Sequence, residues 1–309
     1  MRRKVIQHSP TSLAITLPAE WAKKNSIIKG AEVDVLDQGN KLTVTNSEQK
    51  KSLKEIEIDV SNLDRTSIML SLRNLYRAGY DKIHVVYKRA AFVHHKTGKI
   101  VHVSEMIHTK LRKLMGFEII REKMDSCTIA NISEGLSEEI PTVIKRIHLS
   151  LVDVAESIYQ CAKDKELEDL KTISDKIDTI IRFINYCLRT ANKERDEKTL
   201  SFTEYHSLAT LDRIVYNLDS SAKQLFRLKK DVNLKTLLSI QITLEALRIF
   251  NKFYNTKNSS LIVELNNTRY KLAKVIESKF KEFPKEEKIV LFNMMQTHHL
   301  LVDIVEVRG

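Results

Sequence analysis

Two hydrophobic rhythms divide the chain. Up to about residue 133 apolar and polar positions alternate in short runs; from about 134 onward apolar residues recur every three or four positions. Residues 4–8 (KVIQH) and 12–17 (SLAITL) alternate and carry β-branched members, as strands do. Ser9-Pro10-Thr11 turns the chain between them, and Pro18 ends the second strand because it brings no N–H to a ladder. Residues 19–25 read as two helical turns. Residues 32–36 and 41–45 read as two further strands joined through Asp37-Gln38-Gly39-Asn40. This ββαββ unit of about 45 residues is too small to bury a good core alone and calls for a partner. Trp21, beside Ile15 and Leu17, is read as core.

After the polar junction Lys50–Lys54, residues 55–60 form a period-2 strand with Ile56, Ile58 and Val60 on one face. Asp64 can cap a helix over 65–78 that stops at Gly79. Residues 81–87 are the next strand, a second helix runs from Ser104 to a stop at Gly116, and 118–121 and 126–132 are strands. The order βαβαββ predicts a small α/β layer.

Beyond Leu136 the chain holds no glycine until Gly309, so long helices must fill that stretch. Six amphipathic segments are predicted, at about 138–164, 166–192, 201–229, 233–254, 258–282 and 285–307. Each buries one stripe, such as Leu208, Leu211, Val215, Leu218, Ala222, Leu225 and Leu228 in the third. Short polar links at Lys163–Glu166, Lys230–Asn233, Thr256–Asn258 and Phe283–Lys285 imply antiparallel neighbours. Three helices followed by three of similar length suggest a duplicated unit. The expected fold is multidomain α+β: residues 1–50, an α/β connecting domain at 55–133, and an all-α bundle of two three-helix repeats at 134–309.

Charge changes this picture. The chain carries a net +11. Residues 1–54 hold 10 Lys/Arg against 5 Asp/Glu, residues 55–133 hold 13 against 9, and residues 134–309 hold 28 against 26. Polyanion binding therefore belongs to the N-terminal part. No apolar run reaches the roughly 18 residues needed to span a bilayer, and no h-region follows the N-terminus. Three widely spaced cysteines, Cys127, Cys161 and Cys187, form no disulfide framework or metal knuckle. Together these point to a cytoplasmic protein without membrane insertion.

Catalytic chemistry finds little to stand on. No GxGxxG, GxxxxGK[ST], GxSxG or HExxH string occurs, so no enzyme activity and no cofactor is expected. His94, His95 and His102 could meet across a hairpin turned at Thr97-Gly98-Lys99, but they lack the HxH or HxxxH spacing of a zinc site and are read as solvated.

The order RxV…SLxITLPxxWxxK…IxxGxxVxV…LxV over residues 2–46 resembles the SpoVT/AbrB-type swapped-hairpin DNA-binding domain. Its specific parts are Ile15–Trp21 and the Ile27…Gly30…Val33…Val35 run. The resemblance implies a swapped-hairpin β domain that forms an intertwined homodimer and presents basic residues to double-stranded DNA. Candidate contacts are Arg2, Arg3, Lys4, His8, Lys23, Lys24 and Lys29, since Arg and Lys neutralise phosphates and Arg reads guanine edges. One departure is the first hairpin, where Ser9-Pro10-Thr11-Ser12 stands in place of the family's glycine.

The helical half resembles the PhoU family, associated with regulation of phosphate uptake. The resemblance rests on the double three-helix layout, on Asp175-Lys-Ile-Asp178, and on Leu211-Asp212-Arg213-Ile214. Metal-binding members carry an ExxxD pair, two carboxylates one turn apart. Here the corresponding pairs are Asp212 with Tyr216 and His299 with Asp303, so one carboxylate is missing each time. Asp175, Asp178, Asp212, His299 and Asp303 are the residues a divalent metal in this half would use; each also reads as an ordinary exposed or packed helix position. The combination predicts a dimeric DNA-binding transcriptional regulator linked to phosphate homeostasis, with a phosphate-system protein as a further partner. The alternative is a signalling adaptor that binds a transporter or kinase and uses the hairpins only to dimerise.

Overall fold

The computed structural model describes residues 2–37, 39, 41–46, 53–88, 91–93, 100–132, 139–194, 200–228, 231–277 and 283–308. The chain divides into two compact units, Met1–Leu53 and Lys54–Gly309.

The first unit follows the predicted ββαββ order. Strands β1 (Ile6–Ser9) and β2 (Ser12–Ala14) pair antiparallel, with the register shifting between Gln7 and Ser9. The turn without glycine is held by side chains: the Ser9 and Ser12 hydroxyls lie 2.6 Å apart, and Thr11 N–H reaches Ser9 Oγ at 3.4 Å. Helix α1 (Ala19–Lys24) begins after Pro18. Strands β3 (Asp34–Asp37) and β4 (Leu42–Thr45) pair from Asp34↔Thr45 to Asp37↔Leu42. Asn46 donates to the Asn25 carbonyl at 2.7 Å, tying the second hairpin to the end of α1. Trp21, expected in a core, is only half-buried, and α1 buries no residue at all. Among the described residues of this unit there is no second apolar layer to cover it.

The second unit opens with a four-stranded sheet of order β5-β6-β10-β9. Strands β5 (Glu55–Asp59) and β6 (Lys82–Val86) run parallel, connected by helix α2 (Arg65–Arg77). A short hairpin, β7 (Ala91–Val93) with β8 (Ile100–His102), leads into α3 (Val103–Leu111). Strands β9 (Phe117–Glu122) and β10 (Ser126–Asn131) complete the sheet antiparallel. Helices α2 and α3 cover one face around Leu72, Tyr76, Ile83, Val85, Ile107 and Phe117. Asp64 caps α2 by accepting from Ser67 N–H at 2.7 Å. The proposed turn at residues 97–99, with His94 and His95, lies outside the described residues, as does Gly135.

At the end of α2 the N–H of Gly79 reaches the Tyr76 carbonyl and that of Tyr80 reaches Leu75, the paired bonds of a Schellman stop. Gly79 has φ +83°, and a Cβ there would lie 2.9 Å from Lys193 Cγ. Gly79→Ala is therefore expected to lower stability by about 1–3 kcal/mol through left-handed strain and this contact. Thermal denaturation checks it, and an unchanged melting temperature would sink the account.

Helices α4 (Ile140–Asp164), α5 (Ile173–Glu194), α6 (Phe202–Arg227), α7 (Leu234–Thr256), α8 (Ser260–Glu277) and α9 (Lys285–Arg308) build the bundle. Ser201 and Glu204 form a full capping box at the start of α6. The second predicted helix starts differently: Leu167–Thr172 is a 3₁₀ turn, entered through Lys165 in a left-handed conformation. In α4–α6 and again in α7–α9 the middle helix packs on both its neighbours, and the triplets join as α4 on α7 and α6 on α9. One expected pairing is corrected. Helices α6 and α7 are consecutive but do not pair as neighbours: α6 packs mainly on α9 and α5, and α7 mainly on α8 and α4.

The second unit thus holds two hydrophobic cores, one in the α/β layer and one in the bundle. What joins them is polar.

Candidate functional site

In the first unit, Arg2, Arg3 and Lys4 precede β1 and are exposed. His8 sits where the β1 register shifts, Lys23 and Lys24 close α1, and Lys29 precedes Gly30, which holds φ +89°. None of these seven side chains has a hydrogen-bond or ion-pair partner among the described residues. The same unit exposes Val5, Ile6, Leu13, Ile15, Ile28, Val35 and Leu42. Not one of its described residues is buried. An alternating apolar pattern left exposed within its own unit marks an interaction surface.

The second unit brings together a constellation that spacing did not reveal. Helix α5 docks on the C-terminal end of α2. Arg189, about 5% exposed, donates through Nη1 to the Tyr76 and Tyr80 carbonyls at 2.9 and 2.6 Å, and through Nη2 to Asp81 at 2.8 Å. Its guanidinium also lies 4.9 Å from the ring centres of Tyr76 and Phe117. Asn192 donates to the Arg77 carbonyl at 2.7 Å, and Lys193 reaches Asp81 at 2.5 Å. Carbonyls at and just past a helix end, where the backbone dipole is negative, thereby meet cationic and amide donors. Burial pushes the Asp81 carboxyl up, but bonds from Lys193 and the Lys54 N–H, with the charges of Lys193 and Arg189, hold it below the ordinary range.

Beside this cap, Arg73 and Arg77 both contact Asp212 Oδ2 at 3.2 Å. Arg77 Nε donates to Asn185 Oδ1 at 2.7 Å, Asn185 donates to the Lys113 carbonyl at 2.9 Å, and Lys113 pairs with Asp178 at 2.6 Å. A groove of about 530 Å³ opens onto Arg73 and Asp212, lined also by Arg213, Tyr216, Asn217, Phe292 and Gln296.

The metal candidates are thereby placed. Asp212 and Asp178 are engaged by cations of the α/β layer, while Asp175, His299 and Asp303 are exposed. Among the described residues no three His, Cys, Asp or Glu side chains converge where a metal ion could sit. Burial drives His298 down to about 3, with both ring nitrogens near Thr243 and Thr268. Of the middle-unit histidines, His84 Nδ1 lies 3.1 Å from Thr128 Oγ1 and His108 lies 3.3 Å from Glu122. The sequence reading missed Arg73, Arg77, Lys110, Lys113, Asn185 and Arg189. Two signals were available: Arg73 and Arg77 stand one turn apart on α2, and Asn185 and Arg189 interrupt the apolar run of α5 beside Ile184 and Leu188.

Compared with known proteins, residues 10–52 match the model of a family described as "Antidote-toxin recognition MazE, bacterial antitoxin". The match takes in Lys23, Lys24 and Lys29 and begins after Arg2, Arg3, Lys4 and His8. No curated protein and no solved structure matches the chain. Among the described residues no helix is long and apolar enough to cross a membrane.

Proposed function

We propose that the chain is a dimeric, DNA-binding transcriptional regulator whose first unit pairs with that of a second copy and grips duplex DNA through Arg2, Arg3 and Lys4. The observation carrying this reading is the first unit itself: alternating strands in which no described side chain is buried, beside basic residues that have no partner among the described residues. The family match over residues 10–52 supports it. A second copy buries the strands, and dimerisation brings two basic segments to one ligand, which multiplies phosphate contacts.

The bundle is the regulatory half in this reading. Its two three-helix triplets, packed in corresponding ways, support the PhoU-like reading and with it a link to phosphate homeostasis and to a protein partner of that system. The polar cap between α5 and α2 ties the bundle to the α/β layer that follows the reader.

Leu13, 73% exposed in one chain, tests the dimer. On a free surface Leu13→Asp changes little, within about 0.5 kcal/mol. In a buried interface it costs more than about 2 kcal/mol and yields monomers. Sedimentation equilibrium is expected to show a wild-type dimer and a monomeric variant; an unchanged dimer refutes this role for β2. Duplex DNA titrated against the full chain at several salt concentrations tests the reader, and affinity that fails to fall as salt rises counts against it. The second reading, in which residues 10–52 serve a protein partner, follows the family description and expects only weak, non-specific DNA affinity.

A further inference from the structure

Lys110, on the last turn of α3, is about 8% exposed, and its ammonium has no hydrogen-bond or ion-pair partner among the described residues. The groups that act on it are Arg73 and Arg77 from α2, Lys113 just past α3, and Asp212 from α6. The neighbourhood holds four cations (Arg73, Arg77, Lys110 and Lys113) against two carboxylates, Asp212 and Asp178, an excess of two positive charges. Asp178 is taken by Lys113, and one oxygen of Asp212 is shared by both arginines. Arg73 Nε is a buried donor without an acceptor. Cations gathered in a partly enclosed seam repel one another, and a bound anion relieves that repulsion.

We propose that the seam where α2 and α3 meet α5 and α6 binds a phosphate-type dianion, held by Lys110, Arg73 and Arg77, with the adjoining groove receiving whatever the phosphate is attached to. A dianion matches the charge excess, and its several oxygens match planar guanidinium donors and a compact ammonium. The groove of about 530 Å³ is lined by the guanidiniums of Arg73 and Arg213, the carboxylates of Asp212 and Asp219, the amides of Asn217 and Gln296, and the exposed rings of Tyr216 and Phe292. That volume and lining suit a small organic phosphate. A nearly buried ammonium is reached by a small anion and not by the backbone of duplex DNA, so this site is separate from the proposed DNA contacts of the first unit.

Burial, reinforced by Arg73, Lys113 and Arg77, lowers the Lys110 ammonium to about 8. Its charged form is the binding form, so binding weakens as pH rises through that value. The test is calorimetric titration of the full chain with inorganic phosphate and, separately, with adenosine 5′-monophosphate. Binding is expected at pH 7, about five-fold weaker at pH 9 for inorganic phosphate and somewhat more for the nucleotide, which is already mostly dianionic at pH 7, and at least about ten-fold weaker in Lys110→Met. Lys110→Met removes a cation crowded by Arg73, Lys113 and Arg77, so its melting temperature should match or exceed wild type; lost binding then cannot be put down to unfolding. Tighter binding of the nucleotide than of phosphate identifies a phosphate ester seated in the groove; equal binding identifies the free anion. Absence of binding by both probes up to about 10 mM, or equal binding by wild type and Lys110→Met, overturns the proposal. Either failure leaves the DNA titration unaffected, so the two readings fail separately.

Discussion

Replacing Arg189 with leucine is expected to lower the stability of the second unit by about 3–5 kcal/mol, the usual cost of breaking a buried, hydrogen-bonded ion pair. One side chain satisfies two carbonyls at the end of α2, holds Asp81 and lies against the rings of Tyr76 and Phe117. Leucine supplies apolar volume but none of the donors, leaving the Tyr76 and Tyr80 carbonyls without this partner in a water-poor seam. Arg189→Lys separates charge from geometry: it keeps the cation but lacks the planar fork, so an intermediate loss is expected. Thermal denaturation reads both, at about 2–4 °C per kcal/mol for a body of this size. A loss below about 1 kcal/mol for leucine would show that the cap contributes little. The same cluster sets a pH dependence. Asp81 has a folded-state pKa below its unfolded value of about 3.9, so its contribution is present above that pH and is lost as acid protonates the carboxylate. Stability is therefore expected to fall below about pH 4, and to fall less in Asp81→Asn, which has no proton to take up.

Alanine at Arg2, Arg3 and Lys4 together is expected to weaken duplex DNA binding by about 10²–10³-fold near 0.1 M salt. Each phosphate contact contributes about 0.9 to the slope of log affinity against log salt, so three contacts contribute about 2.7, and the variant's slope should be flatter by that amount. The three side chains are exposed and touch nothing in the described chain, so the melting temperature should not move. Affinity and slope equal to wild type would remove the N-terminal segment from the interface and shift attention to Lys23, Lys24 and Lys29, the basic residues inside the family match.

How much of this was legible beforehand depended on whether the signal was local. The end of α2 at Gly79 and its start at Asp64 were readable because caps and stops are settled within a few residues. The six bundle helices were readable because a long apolar stripe admits little else. The pairing of α6 with α9 was not, since link length says which helices are consecutive and not which apolar faces match best. Asp212 shows the same limit at the level of a site. Its spacing suggested one half of an incomplete metal pair, while its partners, Arg73 and Arg77, come from more than a hundred residues earlier.

The sequence by itself determined that this protein joins a short alternating, basic N-terminal part to a long, glycine-free and nearly neutral helical part, because periodicity and charge are properties of neighbouring residues. Tertiary structure alone decided two things. The first unit buries none of its described side chains, so its apolar strand positions stay exposed within that unit. The α/β layer and the bundle are joined through a seam of arginines, lysines and three aspartates, because only packing brings α2, α3, α5 and α6 together and pairs their charges.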